Sequence, residues 1–267
     1  MTTLPPRPVI CCDLDGVVWR GDEPIAGSAD GIAELRAAGF RVGFITNNSS
    51  IPIAGYVERL RAFGVPATPD DVCTSAQAAA ALVASKLPPG AAVLACAGQG
   101  VVDALTERGL RVVEAGAVDA VVVGFHRNFD FDRLTVAADA ARGATLFVAT
   151  NLDPTYPIAG GVVPGTGALA AAVATAAGRV PEVAGKPEPP MADLVRARFG
   201  RVGLMIGDRP STDGAFAHAL GWPFALVLSG VAGVDGEEPV PDPPPAFVAD
   251  DLAQLAPLIL KSLPSVS

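Results

Sequence analysis

Seven short runs of unbroken apolar residues recur along this chain: "VICCD" (9–13), "RVGFIT" (41–46), "AVLACA" (92–97), "AVVVGF" (120–125), "TLFVAT" (145–150), "GLMIGD" (203–208) and "FALVLS" (224–229). A strand with one wet face alternates polar and apolar side chains, so continuous runs suit parallel strands buried on both faces. Helical patterns fill the intervals. In "SADGIAELRAAG" Ser28 is the expected N-cap and Gly39 the expected stop. In "SIPIAGYVERLRAFG" Ile53, Val57 and Leu60 recur at helical spacing. Alternating β and α elements imply an α/β fold, a parallel sheet with right-handed crossovers. Ligands of such sheets bind beyond the carboxyl ends of the strands.

Residues able to do chemistry are unevenly spread. They gather in 13–50 and again in 185–213, whereas 79–182 holds four strand–helix units of its own. The middle stretch therefore reads as a second α/β domain (79–182) inserted into a first (1–78 and 183–267). The proline-rich "GEEPVPDPPPAF" (236–247) reads as a surface loop before a last strand and helix.

Composition narrows the function classes. The formal net charge is −9, from 19 basic and 28 acidic residues, which argues against a nucleic-acid surface. An anionic substrate would need local compensation from a metal or a well-placed lysine. No apolar run is long enough for a membrane span, and "MTTLPPRPV" lacks the pattern of a signal peptide. Four cysteines, none in a CxxC pair, read as reduced and mostly buried thiols. The expected location is the cytoplasm.

Four places carry chemistry. Asp13 and Asp15 end the first apolar run, two apart, so both carboxylates can face one cavity beyond the strand, with Gly16 allowing a sharp turn. One can attack as a nucleophile while the other shuttles a proton. The same spacing in Asp130 and Asp132 lacks a buried strand before it, and those two read as solvated helix-start residues. "FITNNSS" (44–50) places Thr46, Asn47 and Asn48 between a strand and a helix, where hydroxyl, amide and N–H donors can bind an anion. In "VAGKPEPPMADLV" (183–195) Lys186, between Gly185 and Pro187 at the start of a helix, reads as a fixed positive charge. In "LMIGDRPSTDGA" (204–215) Asp208 ends another strand and completes a hard-oxygen cluster of the kind Mg²⁺ prefers. Asp213 reads either as support for that cluster or as the cap of the following helix.

Taken in order, "DLDGVVWRG", "TNNSS", "GKP" and "GDRPSTD" resemble the four motifs of the haloacid dehalogenase (HAD) superfamily of phosphatases. The likeness is closest to its NagD-like, type IIA branch, whose members place a large α/β cap between the second and third motifs. The resemblance implies a Rossmann-like parallel-sheet core with an inserted α/β cap domain. It implies Asp13 as the nucleophile that becomes an aspartyl-phosphate, and Asp15 as the acid and base. It implies Mg²⁺ held by Asp13, the Asp15 main-chain carbonyl and Asp208, with Asp213 supporting the metal site. Thr46, Asn47 and Asn48 would hold phosphoryl oxygens, and Lys186 would bridge phosphate and Asp13. The implied reaction is Mg²⁺-dependent hydrolysis of a small phosphorylated metabolite: glycerol 3-phosphate, phosphoglycolate, pyridoxal phosphate, a sugar phosphate or a nucleotide. A homodimer through the cap is a further expectation.

Two positions depart from the pattern. Ser211 stands where many relatives carry an additional Asp, and His126 in "GFHRNFD" stands where relatives often carry Asp. His126 reads as a rim or packing residue, and His218 has no assigned role. Three rivals remain: a phosphomutase using the same carboxylate pair, a catalytically silent phospholigand-binding protein, and a dinucleotide binder leaning on "AGQG" (97–100) or "PGTGAL" (164–169).

Overall fold

A computed structural model describes residues 8–158, 161–231 and 243–262. The proline-rich segment 236–242 lies outside the described residues. By its contacts the chain divides into two compact units: 1–45 with 57–72 and 195–267, and 46–56 with 73–194.

All seven apolar runs form strands. A six-stranded sheet runs in the order Phe247–Ala249, Phe224–Val227, Gly203–Gly207, Val9–Cys12, Val42–Thr46 and Val72–Thr74. Val9–Cys12 lies between Gly203–Gly207 and Val42–Thr46, parallel to both, with Cys12 paired to Ile206 and to Phe44. Every residue of these three central strands is buried, which is why they contain no solvent-facing polar position. The second unit carries a five-stranded sheet in the order Glu182–Val183, Leu146–Ala149, Ala120–Val123, Ala92–Cys96 and Arg111–Val113. Its neighbours pair in parallel throughout. Short antiparallel pairs, Trp19–Arg20 with Glu23–Pro24 and Thr155–Ile158 with Gly161–Pro164, were not visible as apolar runs.

In the second unit the helices Phe131–Gly143 and Thr166–Ala177 pack together over the sheet. Their contact faces are built from Ala137, Ala138, Ala141, Ala170 and Ala177, closed by Val121, Val123 and Phe147. Small side chains let the two backbones approach, and the strands contribute Leu94, Val121, Val123 and Phe147 while the second helix adds Val173. Asp130 starts the first of these helices by accepting the Arg133 N–H at 2.8 Å. Such a cap contributes about 1 kcal/mol. Ser75–Lys86 starts on a capping box: Thr74 Oγ1 accepts the Gln77 N–H and Gln77 Oε1 accepts the Thr74 N–H, both at 3.2 Å.

The cap expected at Ser28 is different. Gly27, at φ 76°, precedes the helix Ser28–Ala37, and the Ser28 hydroxyl instead donates to the Val17 carbonyl at 2.9 Å. The long-range acceptor outcompetes the local N–H groups. Gly39 does stop the helix, at φ 87°. All four cysteines are buried thiols, and burial pushes Cys12 up to about 12. Among the described residues no helix is long and apolar enough to cross a membrane.

Candidate active site

Parallel pairing brings the first set of residues together. Because Cys12 aligns with Ile206, the two chains leave neighbouring strands at the same edge, and the Asp13 N–H still donates to the Ile206 carbonyl at 2.8 Å. Asp13 follows one strand and Asp208 the other. The chain then turns through Pro210–Gly214, a single π-helical turn, which swings Asp213 back towards the strand ends. That turn is tied twice: the Arg209 N–H donates to Asp213 Oδ2 at 3.2 Å, and the Asp213 N–H donates to the Arg209 carbonyl at 2.7 Å. The helix Ala215–Leu220 has Gly214 at its N-cap, so Asp213 is not that helix's cap.

One carboxylate oxygen from each of Asp13, Asp208 and Asp213 lies within 4.8 Å of the others. Asp208 is 4% exposed and Asp213 fully buried. At 4.8 Å two carboxylates repel by about 3–4 kcal/mol with an effective dielectric near 20. Main-chain N–H groups are among their partners: Leu14 on Asp13 Oδ1 (2.8 Å) and Val231 on Asp208 Oδ2 (2.7 Å). Hard-oxygen donors this close fit a shared divalent cation, whose oxygen ligands stand about 3–4 Å apart when the ion is Mg²⁺.

The Asp15 carboxylate is not in this group of three. Its Oδ1 accepts the Trp19 Nε1–H at 3.1 Å. Trp19 is fully buried, under the Arg59 guanidinium at 4.4 Å from the ring centroid and edge-on to Phe63 at 6.0 Å. The indole thus anchors one oxygen of Asp15. Between the two aspartates and Trp19 the backbone makes a tight loop: the Gly16 N–H donates to the Trp19 carbonyl at 2.7 Å, and Gly16 adopts φ 85°. Ser229 Oγ closes the loop by donating to the Gly16 carbonyl at 2.7 Å.

The second set forms within the other unit. Asn47 Oδ1 accepts the Lys186 N–H at 2.8 Å, and its Nδ2 donates to the Lys186 carbonyl and to Asp153 Oδ2, each at 3.1 Å. Both amide hydrogens of Asn47 are therefore taken. Lys186, only 3% exposed, lies three residues before the helix Pro189–Phe199 and is held by its peptide on both sides. Gly185 is what permits this approach: a Cβ there would stand 2.5 Å from Asn47 Oδ1 and from the Thr150 carbonyl. Thr46 Oγ1 accepts the Asn48 N–H at 3.0 Å, leaving its O–H to donate. The Asn48 side chain is engaged locally, accepting from Ser50 N–H and Oγ (3.0 and 2.7 Å) and donating to the Tyr156 hydroxyl (3.2 Å).

Three residues bonded to Asn47 are not among the site residues expected from the sequence: Ser75, Asn151 and Asp153. The segments "VCTSAQ" and "ATNLDPT" contain them, but only the backbone path brings 47, 75, 151 and 186 together. His126 is a packing residue, buried, edge-on to Phe129 and 3.7 Å from Cys96 Sγ. Burial holds its imidazole below the ordinary range and pushes the Cys96 thiol up to about 11, so the pair is neutral rather than an activated thiolate. The glycines of "AGQG" serve packing. A Cβ on Gly98 would meet the Ser50 carbonyl at 2.5 Å, and one on Gly100 the Ser49 carbonyl at 2.7 Å.

The haloacid dehalogenase-like hydrolase family matches residues 10–111, and a HAD-hydrolase-like model matches 183–255. The D-glycerol 3-phosphate phosphatase of Mycobacterium tuberculosis is 39% identical over 247 residues, covering 91% of this chain and 69% of that protein. The glycerol-3-phosphate phosphatase of Gallus gallus is 34% identical, covering 92% and 90%. The crystal structure of the Mycobacterium tuberculosis glycerol phosphate phosphatase in complex with magnesium superposes with a TM-score of 0.84 at 38% identity, over 93% of this chain and 76% of that one. With its strand-end carboxylates and these relatives, the chain belongs to the haloacid dehalogenase-like hydrolases, as a HAD-type phosphatase of the NagD-like branch.

Proposed function

We propose that this protein hydrolyses the phosphate monoester of a small metabolite, with glycerol 3-phosphate the leading candidate because two relatives are named for it. The observation that carries the reading is the convergence of half-buried Asp13 with buried Asp208 and Asp213 at the strand ends. Asp13, the Asp15 main-chain carbonyl and Asp208, with Asp213 beside them, would hold Mg²⁺, which would supply charge neutralisation for the carboxylates and the phosphoryl group.

Asp13 Oδ attacks phosphorus as the ester P–O bond breaks, and Asp15 passes a proton to the departing alkoxide oxygen. Water then attacks the aspartyl-phosphate, Asp15 takes its proton, and the Asp13–phosphorus bond breaks to release inorganic phosphate. The Trp19 indole holds one Asp15 oxygen in place and so orients the carboxyl group to which the proton transfers are assigned. The phosphoryl oxygens are assigned to the Thr46 hydroxyl, the main-chain N–H of Asn47, the Asn48 region and the Lys186 ammonium. Phosphoryl transfer asks for positioning and charge stabilisation more than for covalent chemistry, and these groups supply both. The inserted 79–182 is assigned as the cap that selects the leaving group and 1–78 with 183–267 as the core, with cytoplasmic location and a homodimer through the cap as the accompanying proposals.

The test is phosphate release from D-glycerol 3-phosphate, phosphoglycolate, pyridoxal phosphate and sugar phosphates, with and without Mg²⁺. Asp13→Asn is expected to abolish turnover in a folded protein. Residual activity within tenfold of the parent, or turnover indifferent to Mg²⁺ and chelator, refutes the assignment.

A further inference from the structure

We infer that Asp153, Asn151 and Ser75 form a positioning clamp which, through Asn47, fixes the main chain of Lys186; the inference rests on the phosphatase reading above. Each link is a hydrogen bond within one unit. Ser75 Oγ and Asn151 Nδ2 both donate to the Asn47 carbonyl, at 2.5 and 2.6 Å, so the two lone pairs of that oxygen are filled. Ser75, Asn47 and Asn151 are all buried, where an unmade hydrogen bond is costly. With its main chain held, Asn47 presents its amide to Lys186, accepting from the lysine N–H and donating to the lysine carbonyl.

Asp153 completes the arrangement. An ionised carboxylate can only accept, so Asp153 Oδ2 must face the Asn47 NH₂ group, which turns the Asn47 Oδ1 to the Lys186 N–H. Asp153 is itself placed by Asn151, whose Oδ1 accepts the Asp153 N–H at 3.0 Å. Asn151 therefore serves both ends: its amide nitrogen holds Asn47 and its amide oxygen holds Asp153. A long lysine side chain has several rotatable bonds, and an ammonium is useful to a phosphoryl group only from a defined origin. The clamp supplies that origin. It also places two residues of the inserted segment, Asn151 and Asp153, in control of a residue that follows it in sequence. None of the three is argued to touch the reacting atoms.

The experiment compares the parent protein, Lys186→Ala, Asp153→Ala, Asp153→Asn, Ser75→Ala and Asn151→Ala. It measures kcat, KM, the inhibition constant of inorganic phosphate and the melting temperature. Asp153→Ala is expected to lower kcat at least tenfold and to weaken phosphate inhibition, with a melting temperature near that of the parent. Asp153→Asn keeps an acceptor facing Asn47 and is expected to recover most of the loss. Ser75→Ala and Asn151→Ala are expected to move kcat and phosphate inhibition the same way, and combining either with Asp153→Ala should cost less than the product of the single effects. An active parent whose Lys186→Ala variant is crippled while Asp153→Ala and Ser75→Ala stay within threefold overturns the clamp alone. So does a fall in melting temperature with phosphate inhibition unchanged, or an Asp153→Asn variant as impaired as Asp153→Ala. A parent without phosphatase activity, or unchanged Lys186→Ala kinetics, overturns the reading beneath it.

Discussion

Replacing Gly16 with alanine tests whether the position of Asp208 decides activity. Gly16 sits at φ 85°, and a Cβ there would lie 2.6 Å from Asp208 Cγ and closer still to its Oδ2. Two costs separate cleanly. The backbone term, an L-residue in left-handed space, is about 1–2 kcal/mol, which for a chain of this size corresponds to roughly 2–8 °C of melting temperature. The steric term is paid by the carboxylate: to restore ordinary contact near 3.4 Å it must retreat by about 1 Å, and misplacement on that scale costs on the order of 100-fold in rate. Gly200 provides the control. Its φ is 98°, yet a Cβ there meets nothing within 4 Å. Gly200→Ala should show the melting shift without the kinetic loss. Phosphate release at saturating substrate across a Mg²⁺ titration, with melts of both variants, resolves the two terms. Gly16→Ala activity within threefold of the parent, with an unchanged Mg²⁺ requirement, refutes the claim that Asp208 is held to within an ångström. Equal kinetic loss in Gly200→Ala refutes the separation of strain from site geometry.

Two further outcomes are expected. Lys186→Ala removes a preorganised positive charge and should lower kcat by about 10²–10³-fold, with KM also raised; unchanged steady-state kinetics would remove Lys186 from the reaction. His126 is held neutral by burial, with nearby Arg133 acting in the same direction and Asp130 opposing. Its folded pKa lies below its unfolded one, so its contribution is intact above about pH 6.5 and is lost as pH falls below that value. Melts of the parent and of His126→Phe between pH 8 and 5 should diverge in slope below that point, and parallel curves would refute it.

The fold was legible where burial on both faces dictates composition. Val9–Cys12, Val42–Thr46 and Gly203–Gly207 are buried at every position, and each reads as an unbroken apolar run. Val72–Thr74, Arg111–Val113 and Glu182–Val183 are three residues or fewer, too short for any period to register. Ser28 shows a different limit. Its type and position fit a cap, but the Val17 carbonyl eleven residues away claims the hydroxyl, and no local rule contains that competitor.

The candidate site divides along the same line. Asp13 and Asp208 were readable because strand ends in a parallel sheet share an edge. Asp213 joined them through a π-helical turn that the sequence disguises as a helix start. What holds the carboxylates was invisible. Val231 contributes only an N–H to Asp208, Ser229 only a hydroxyl to the Gly16 carbonyl, and a Cβ on Gly230 would stand 2.5 Å from Asp208 Cβ. "SGV" after a strand carries no chemical signature, because its work lies in backbone groups and an absent side chain. Asp208 is thus confined by the 14–19 loop, by its own strand and by 229–231. The charged residues announce the chemistry, while their precision comes from neighbours whose identity shows only once the chain is folded.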